Sequence, residues 1–432
     1  MRLFYMTQGE ITMNNKEFIN YANSFQSVAK LRLESIGELM NELFNPQDEL
    51  KFIHVAGTNG KGSVCCFLQN ILSDAGYKTG KYTSPNMIKV NERISVDGIE
   101  ITDDELNKLL TNVLENAERV KEKLGELPTQ FEIWTAAAFC YFKEKKCDYV
   151  ILETGLGGER DATNIIKNPI ITAITRIALD HTEYLGESIS DIANAKAGII
   201  KNSIYGGCTV TTHQDDIVLN ILKNSAISHN NDFIVTKTPY IHKFNGQFEV
   251  FDYNNMNDIK MSMLGTHQAE NAAIAIECAR KLGIDEKDIR SGIKKAKNPG
   301  RLEILSDNPF ILFDGAHNKN GMKSLSDNLI RCFPGRKKCF IMGFMHDKDI
   351  DSAIMTLKEN NLDFDTNFYT VEVKDNTRAI SANDLSEKLK NHGFNSMPCR
   401  DLKEALNLAN VENAMIILCG SLYLYKDLSE IL

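Results

Sequence analysis

No two cysteines in this 432-residue chain have C-x-x-C spacing, although there are ten, at positions 65, 66, 140, 147, 208, 278, 332, 339, 399 and 419. Most lie in apolar runs, which reads as reduced, buried thiols of a cytoplasmic protein. Cys65 and Cys66 fall early in an expected helix and read as core. No basic run is dense enough for a nucleic-acid footprint, and 49 Lys and Arg against 58 Asp and Glu leave a formal net charge of −9. No apolar stretch approaches the ~20 residues of a membrane span. The opening MRLFYMTQGEITMNNKEF lacks the apolar core of a signal peptide. Met13 reads as a natural start, so residues 1–12 are expected to form a poorly ordered extension. Internal repeats and low-complexity tracts are also lacking.

What is present is ordinary globular composition, 43% hydrophobic and 25% charged, at a length that suggests two or three domains. An acidic chain that binds anions must do so locally, with backbone nests, metal ions or single basic residues.

From residue 51 strands and helices alternate, which argues a mostly parallel sheet. KFIHVA (51–56), DYVIL (148–152) and IITAIT (170–175) are expected strands. The helix after the first carries Val64, Phe67, Leu68, Ile71, Leu72 and Ala75 at helical spacing and ends at Gly76. Further helices are expected near 103–123, 131–145, 267–282 and 285–296. Residues 232–264 break into short alternating runs, read as a small antiparallel patch. KNPG (297–300) punctuates the chain before a second β/α series: FILFD (310–314), KCFIMGF (338–344), FYTVEV (368–373) and AMIILCG (414–420). The expectation is an α/β protein. A P-loop-type, mostly parallel domain with a small antiparallel β patch spans 1–297, and a smaller Rossmann-like domain spans 298–432.

GTNGKGS (57–63) joins the first strand to its helix. Gly57, Thr58, Asn59, Gly60, Lys61, Gly62 and Ser63 can turn backbone N–H groups onto phosphate oxygens at a helix N-terminus, with Lys61 adding a full charge. The common G-x-x-x-x-G-K-[ST] pattern is not met: Val55 stands at its first glycine and Gly62 follows the lysine. By itself the segment also fits a plain glycine turn.

Glu153 follows an apolar strand at its carboxyl end, where open α/β sheets bind ligands, and a buried carboxylate wants a cation or a salt bridge. His181 follows another strand, and an ordinary polar role is the alternative. Ser188 and Asp191 form a capping box before a helix whose Ile189, Ile192, Ala193, Lys196, Ile199 and Ile200 share one face. A lysine on that stripe must snorkel, pair or be chemically altered.

HVAGTNGKGSV (54–64) resembles the ATP loop of the Mur ligase superfamily in the form found in folylpolyglutamate synthases and dihydrofolate synthases. TSPNM (83–87), TQFEIWTAAAF (129–139), LETGLGG (152–158), DATN (161–164), LDHTEYLG (179–186), KAGII (196–200), HQAENAA (267–273), PGRLE (299–303), DGAHN (314–318), GFMHDKD (343–349) and GSLYLY (420–425) follow in that family's order. The resemblance implies an ATP-dependent ligase, a cytoplasmic monomer, that joins L-glutamate to folate or dihydropteroate through an acyl phosphate. It implies ATP with two Mg²⁺ ions. Ser84, Glu153, His181 and a carbamylated Lys196 would be the metal ligands. Asn271, Arg301 and Asp314 would join the loop in binding ATP, with Lys61, Lys196 and His317 catalytic. Glu34, Thr129, Gln130, Phe131, Glu132, Arg160, Asp161 and Ala162 would bind the acid.

Two places depart from the family. Gly158-Glu159-Arg160 replaces glycine–basic–apolar, and LRLESI (31–36) has Arg32 for a glycine and Ser35 for an arginine. Both flank the acid site, so the acid's identity is the open point. A ligase for another acid or amino acid, or an ATP-binding regulatory module without ligation, are the competing readings. Intact Lys61, Glu153, His181 and Lys196 argue against the second.

Overall fold

The computed structural model describes residues 32–242, 244–360, 366–374 and 376–431. The expected extension over 1–12 lies outside them. An eight-stranded sheet runs in the order β4-β3-β2-β5-β1-β6-β7-β8. Its strands are β1 (Phe52–Ala56), β2 (Thr79–Tyr82), β3 (Ile94–Val96), β4 (Ile99–Glu100), β5 (Tyr149–Glu153), β6 (Ile171–Ile174), β7 (Cys208–Thr211) and β8 (Asp232–Val235). From β2 to β8 all neighbours are parallel, and β3 and β4 add an antiparallel edge. The central strand β1 is buried along its whole length, as its run of FIHVA demands.

The helices of this part are α1 (Glu34–Glu42), α2 (Lys61–Asp74), α3 (Asp103–Leu124), α4 (Gln130–Glu144), α5 (Thr182–Leu185), α6 (Ile189–Ala197), α7 (Asp216–Ser228), α8 (Thr266–Lys281) and α9 (Glu286–Lys295). One face of the sheet is closed by α1, α3 and α4 through Ile36, Leu110, Trp134 and Phe139. The other is closed by α2, α8 and α9 through Phe67, Ile71, Ala272 and Ile293.

The antiparallel patch is smaller than expected. It comprises β9 (Tyr240–Ile241), β10 (Glu249–Tyr253) and β11 (Met256–Met261), whereas residues 232–235 belong to the large sheet. The reason is α7, which carries the chain back across the sheet so that β8 lies parallel to β7.

A third sheet, ordered β12-β13-β17-β14-β15-β16, holds β12 (Glu303–Asp307), β13 (Phe310–Phe313), β14 (Lys338–Met342), β15 (Asn367–Thr370), β16 (Asn395–Pro398) and β17 (Met415–Cys419). β13, β17, β14, β15 and β16 are parallel, and β12 folds back on β13 as a hairpin. Neither β12 (EILSD) nor β16 (NSMP) has the apolar run that marks a strand, so pattern reading passes over both edges.

Two contacts tie the third sheet's α10 (Lys319–Cys332) to the rest. Buried Glu249 on β10 takes a forked ion pair from Arg331, at 2.6 and 2.5 Å, and the Gly265 N–H. The Ser324 hydroxyl lies 3.1 Å from His267 Nδ1.

Candidate active site

After α9 the chain passes through Gly300, which packs against Met87, Phe313 and Leu422 and so brings the loop after β2 close to those after β13 and β17. Strand β1 runs into Gly57, whose φ of 145° leaves no room for a Cβ against Thr175. Gly60, at φ 91°, lets the loop pass flush against the Asn271 side chain. Thr58 is locked by its N–H on Arg176 O at 3.0 Å and by reciprocal 3.0 Å bonds between its hydroxyl and Ala178. The loop thus opens α2, whose N-terminus presents unpaired N–H groups.

Two lysines converge on one oxygen of this loop. Lys61 Nζ donates to Gly57 O at 3.1 Å, and Lys196 Nζ donates to the same oxygen at 2.8 Å. Lys196 is 4% exposed, so the expected burial is real and the side chain does not snorkel out. Burial pushes its ammonium down to about 7, and the nearby Lys61 charge pushes the same way. The Ser188–Asp191 capping box is present, but α6 stops at Ala197, leaving Ile199 and Ile200 in the core beyond it.

Glu153 ends β5, 5% exposed. Burial pushes its carboxyl up, opposed by Lys61, the Ser84 N–H at 3.3 Å, Arg301 and Lys81. Ser63 Oγ accepts from Asn298 Nδ2 at 3.0 Å. His181 is half exposed in a left-handed turn, its Nε2 3.7 Å from Asp180 Oδ2. Glu153, Ser84, Ser63 and the His181 ring offer oxygen and nitrogen donors. Donors of this kind hold magnesium beside phosphate oxygens. Among the described residues only His242, Asp252 and Asp258, on the small antiparallel sheet, form a tight three-residue set of metal-competent groups, and the sequence did not flag them.

Arg301 stands where its charge acts on Glu153, Asp314, His267 and His317 at once. Asp314 accepts the N–H groups of Leu302 and Ala316, both at 2.8 Å, and Gly315 N donates to Gly300 O at 2.9 Å. Asp314 therefore ties the Leu302 turn to the start of the Ala316 loop. His317 places Nδ1 2.8 Å from Gly315 O, and burial lowers its pKa, so the ring is neutral with Nε2 available. It lines a cavity of about 210 Å³ with Pro85, Asn86, Met87, Lys348, Arg378 and Ser421. Sequence reading missed Lys348, Arg378 and Ser421 as site residues; GFMHDKD and GSLYLY were the only signals near two of them.

The residues assigned to the acid lie at one end of α4. Thr129 and Glu132 form a capping box, and Glu132 also accepts the Ile36 N–H at 3.1 Å, tying α1 to α4. Gln130 opens α4, Glu34 is exposed on the first turn of α1, and Phe131 packs its ring against Gly155. Arg160 is exposed beside buried Asp161 and Ala162. The departures have local roles: Arg32 pairs with Glu126, Ser35 is buried, and Glu159 N donates to Ala195 O at 2.7 Å on α6.

Residues 55–279 match the Mur ligase middle domain, and residues 300–422 match the Mur ligase glutamate ligase domain. The chain is 35% identical over 410 residues to the dihydrofolate synthase/folylpolyglutamate synthase of Bacillus subtilis, covering 91% of this chain and 93% of that one. It is 32% identical to the folylpolyglutamate synthase of Lacticaseibacillus casei, covering 97% and 99%. The crystal structure of folylpolyglutamate synthase from Thermotoga maritima superposes with a TM-score of 0.85 at 31% identity, covering 97% and 96%. That of E. coli FolC in complex with DHPP and ADP superposes at 0.83 with 26% identity, covering 97% and 98%.

Proposed function

Because the chain belongs to the Mur ligase family, among the folylpolyglutamate and dihydrofolate synthases, we propose that it joins L-glutamate to a folate-type carboxylate with ATP. The observation that carries this reading is the meeting of Lys61 and Lys196 at Gly57 O beside Glu153, with Arg301 placed so that its charge acts on both Glu153 and His317.

The acid's carboxylate oxygen attacks the γ-phosphorus, the bond to the β–γ bridging oxygen breaks, and ADP leaves. Lys61 and the N–H groups of the phosphate loop stabilise the charge on the transferred group. Glu153, Ser84, His181 and Lys196 would hold Mg²⁺, which supplies Lewis-acid stabilisation at the phosphates when bound. A lysine whose pKa falls to about 7 is partly the free amine, the form that takes up CO₂ as a carbamate. Carbamylation would replace an ammonium that repels the metal by an oxygen ligand.

Glutamate's amine then attacks the acyl carbon and phosphate leaves, giving an amide. The cavity beside His317 suits the amino acid: Lys348 and Arg378, which stand 3.7 and 3.8 Å from the lining Asp347, would turn to its carboxylates. With Nδ1 on Gly315 O, Nε2 of His317 would take the proton released by the amine. Closure about a boundary at 297/298 would exclude water from the acyl phosphate. The enzyme is read as a cytoplasmic monomer; among the described residues no helix is long and apolar enough to cross a membrane.

Phosphate release with dihydropteroate or tetrahydrofolate, each with and without L-glutamate, tests the proposal. Release that requires both the acid and glutamate is expected. ATP binding with no turnover of either acid would overturn it.

A further inference from the structure

Beneath the acid-site loop lies a histidine that the chemistry above does not use. His54 sits in the middle of β1, fully buried, three positions before Gly57. Its Nε2 lies 2.9 Å from Thr163 Oγ1. The Thr163 hydroxyl donates in turn to Asp161 Oδ1. Asp161 also accepts the Thr163 N–H at 3.0 Å and the Leu156 N–H at 2.7 Å.

The polarity of this chain follows from donor and acceptor rules. Burial pushes the Asp161 carboxyl up, opposed by the Thr163 hydroxyl and by the Leu156 and Thr163 N–H groups; with every partner a donor to it, the Thr163 hydroxyl proton points to Asp161. The hydroxyl oxygen must then accept from His54, which makes the ring the neutral Nε2–H tautomer. Burial pushes the imidazole pKa down to about 3, which keeps it neutral. Nδ1 is left buried with no partner among the described residues.

An apolar residue would avoid that unpaired nitrogen, so a purely structural need does not explain a histidine here. What the ring supplies is a link from the strand that ends in the phosphate loop to the loop that carries residues 160–162. That loop is held on its far side too. Glu159 N donates to Ala195 O at 2.7 Å, and Asn164 Nδ2 donates to Glu159 O at 2.9 Å and Gly198 O at 3.1 Å.

We propose that His54 is a positioning residue which, through Thr163, holds the Asp161 loop in the geometry that receives the acid substrate. This rests on the reading of residues 160–162 as acid-binding. His54→Leu should raise KM for the acid about five- to tenfold, the effect of one lost hydrogen bond, with KM for ATP within about twofold. His54→Gln, which keeps an N–H near the Nε2 position, should recover most of the loss. Combining His54→Leu with Thr163→Val should do no more than Thr163→Val alone, since both break one chain. If His54→Leu does not fold, Thr163→Val against Thr163→Ser makes the same comparison, because serine keeps the hydroxyl. An unchanged acid KM, a parallel rise in KM for ATP, or additive effects would overturn the proposal. Histidine ¹⁵N NMR of the wild type reads the chain without turnover: an Nε2-protonated, Nδ1-bare ring is expected, and the reverse tautomer sinks the relay. A wild type inert on both folate acids would remove the functional reading, while the tautomer would still decide the relay.

Discussion

Lys61 and Lys196 donate to the same carbonyl oxygen, that of Gly57, at 3.1 and 2.8 Å. Two ammonium groups on one acceptor repel each other, and the buried one yields. Lys196→Ala should abolish turnover with the fold intact, and a short-chain carboxylic acid should restore part of it by supplying the missing oxygens. Mass spectrometry of bicarbonate-treated wild type should find the carboxylated lysine. A fully active Lys196→Ala enzyme would rule this role out.

Lys61 contributes charge and little packing, since it reaches back only to Gly57 O and Thr58 O. Lys61→Ala should therefore lower kcat by at least about a hundredfold, the scale of losing one transition-state charge contact. Circular dichroism and the melting temperature should stay near wild type. Ready phosphate release by the folded variant would dismiss the phosphate role.

Glu153→Gln keeps the shape of a side chain that accepts the Ser84 N–H at 3.3 Å. The Mg²⁺ concentration for half-maximal rate should rise about tenfold or more, because magnesium needs the charge and the sheet does not. A magnesium titration of the rate checks this; an unmoved midpoint refutes the site.

Arg378 reaches the cavity from the loop after β15, its guanidinium 3.8 Å from Asp347. Arg378→Ala should raise KM for glutamate about tenfold or more and leave KM for ATP unchanged, as loss of a carboxylate contact requires. Equal changes in both constants would place Arg378 outside amino-acid binding.

Arg331→Met should destabilise the protein by about 3 kcal/mol, because it leaves the fully buried Glu249 charge unpaired. The double change Glu249→Gln with Arg331→Met should recover much of that loss. Urea unfolding of the three proteins measures it, and an Arg331→Met protein as stable as wild type would mean that the fork contributes nothing.

Much of the architecture was legible because it is written in short-range periodicity. The FIHVA run before GTNGKGS announces a buried strand entering a phosphate loop, since glycines and apolar alternation act on neighbouring residues. Lys196 was legible for the same reason: helical spacing put it on an apolar face, and the face proved buried. Glu153 was legible as a charge at the end of an apolar strand.

Other features had no local signature. β12 and β16 are polar edges that only their neighbours recruit, and β8 joined the large sheet because α7 turned the chain. Glu249 and Arg331 meet across 82 residues. The His317 cavity gathers Asn86, Lys348, Arg378 and Ser421 from loops at separate strand ends. The sequence by itself determined the strand–helix alternation, the phosphate loop and the apolar helix face that carries Lys196, because these depend on backbone geometry and the solvent preference of adjacent side chains. Only the tertiary structure decided that His54 meets Thr163, and that two lysines share one carbonyl. Those meetings depend on how the packed layers bring distant residues within hydrogen-bond reach, and no spacing along the chain encodes it.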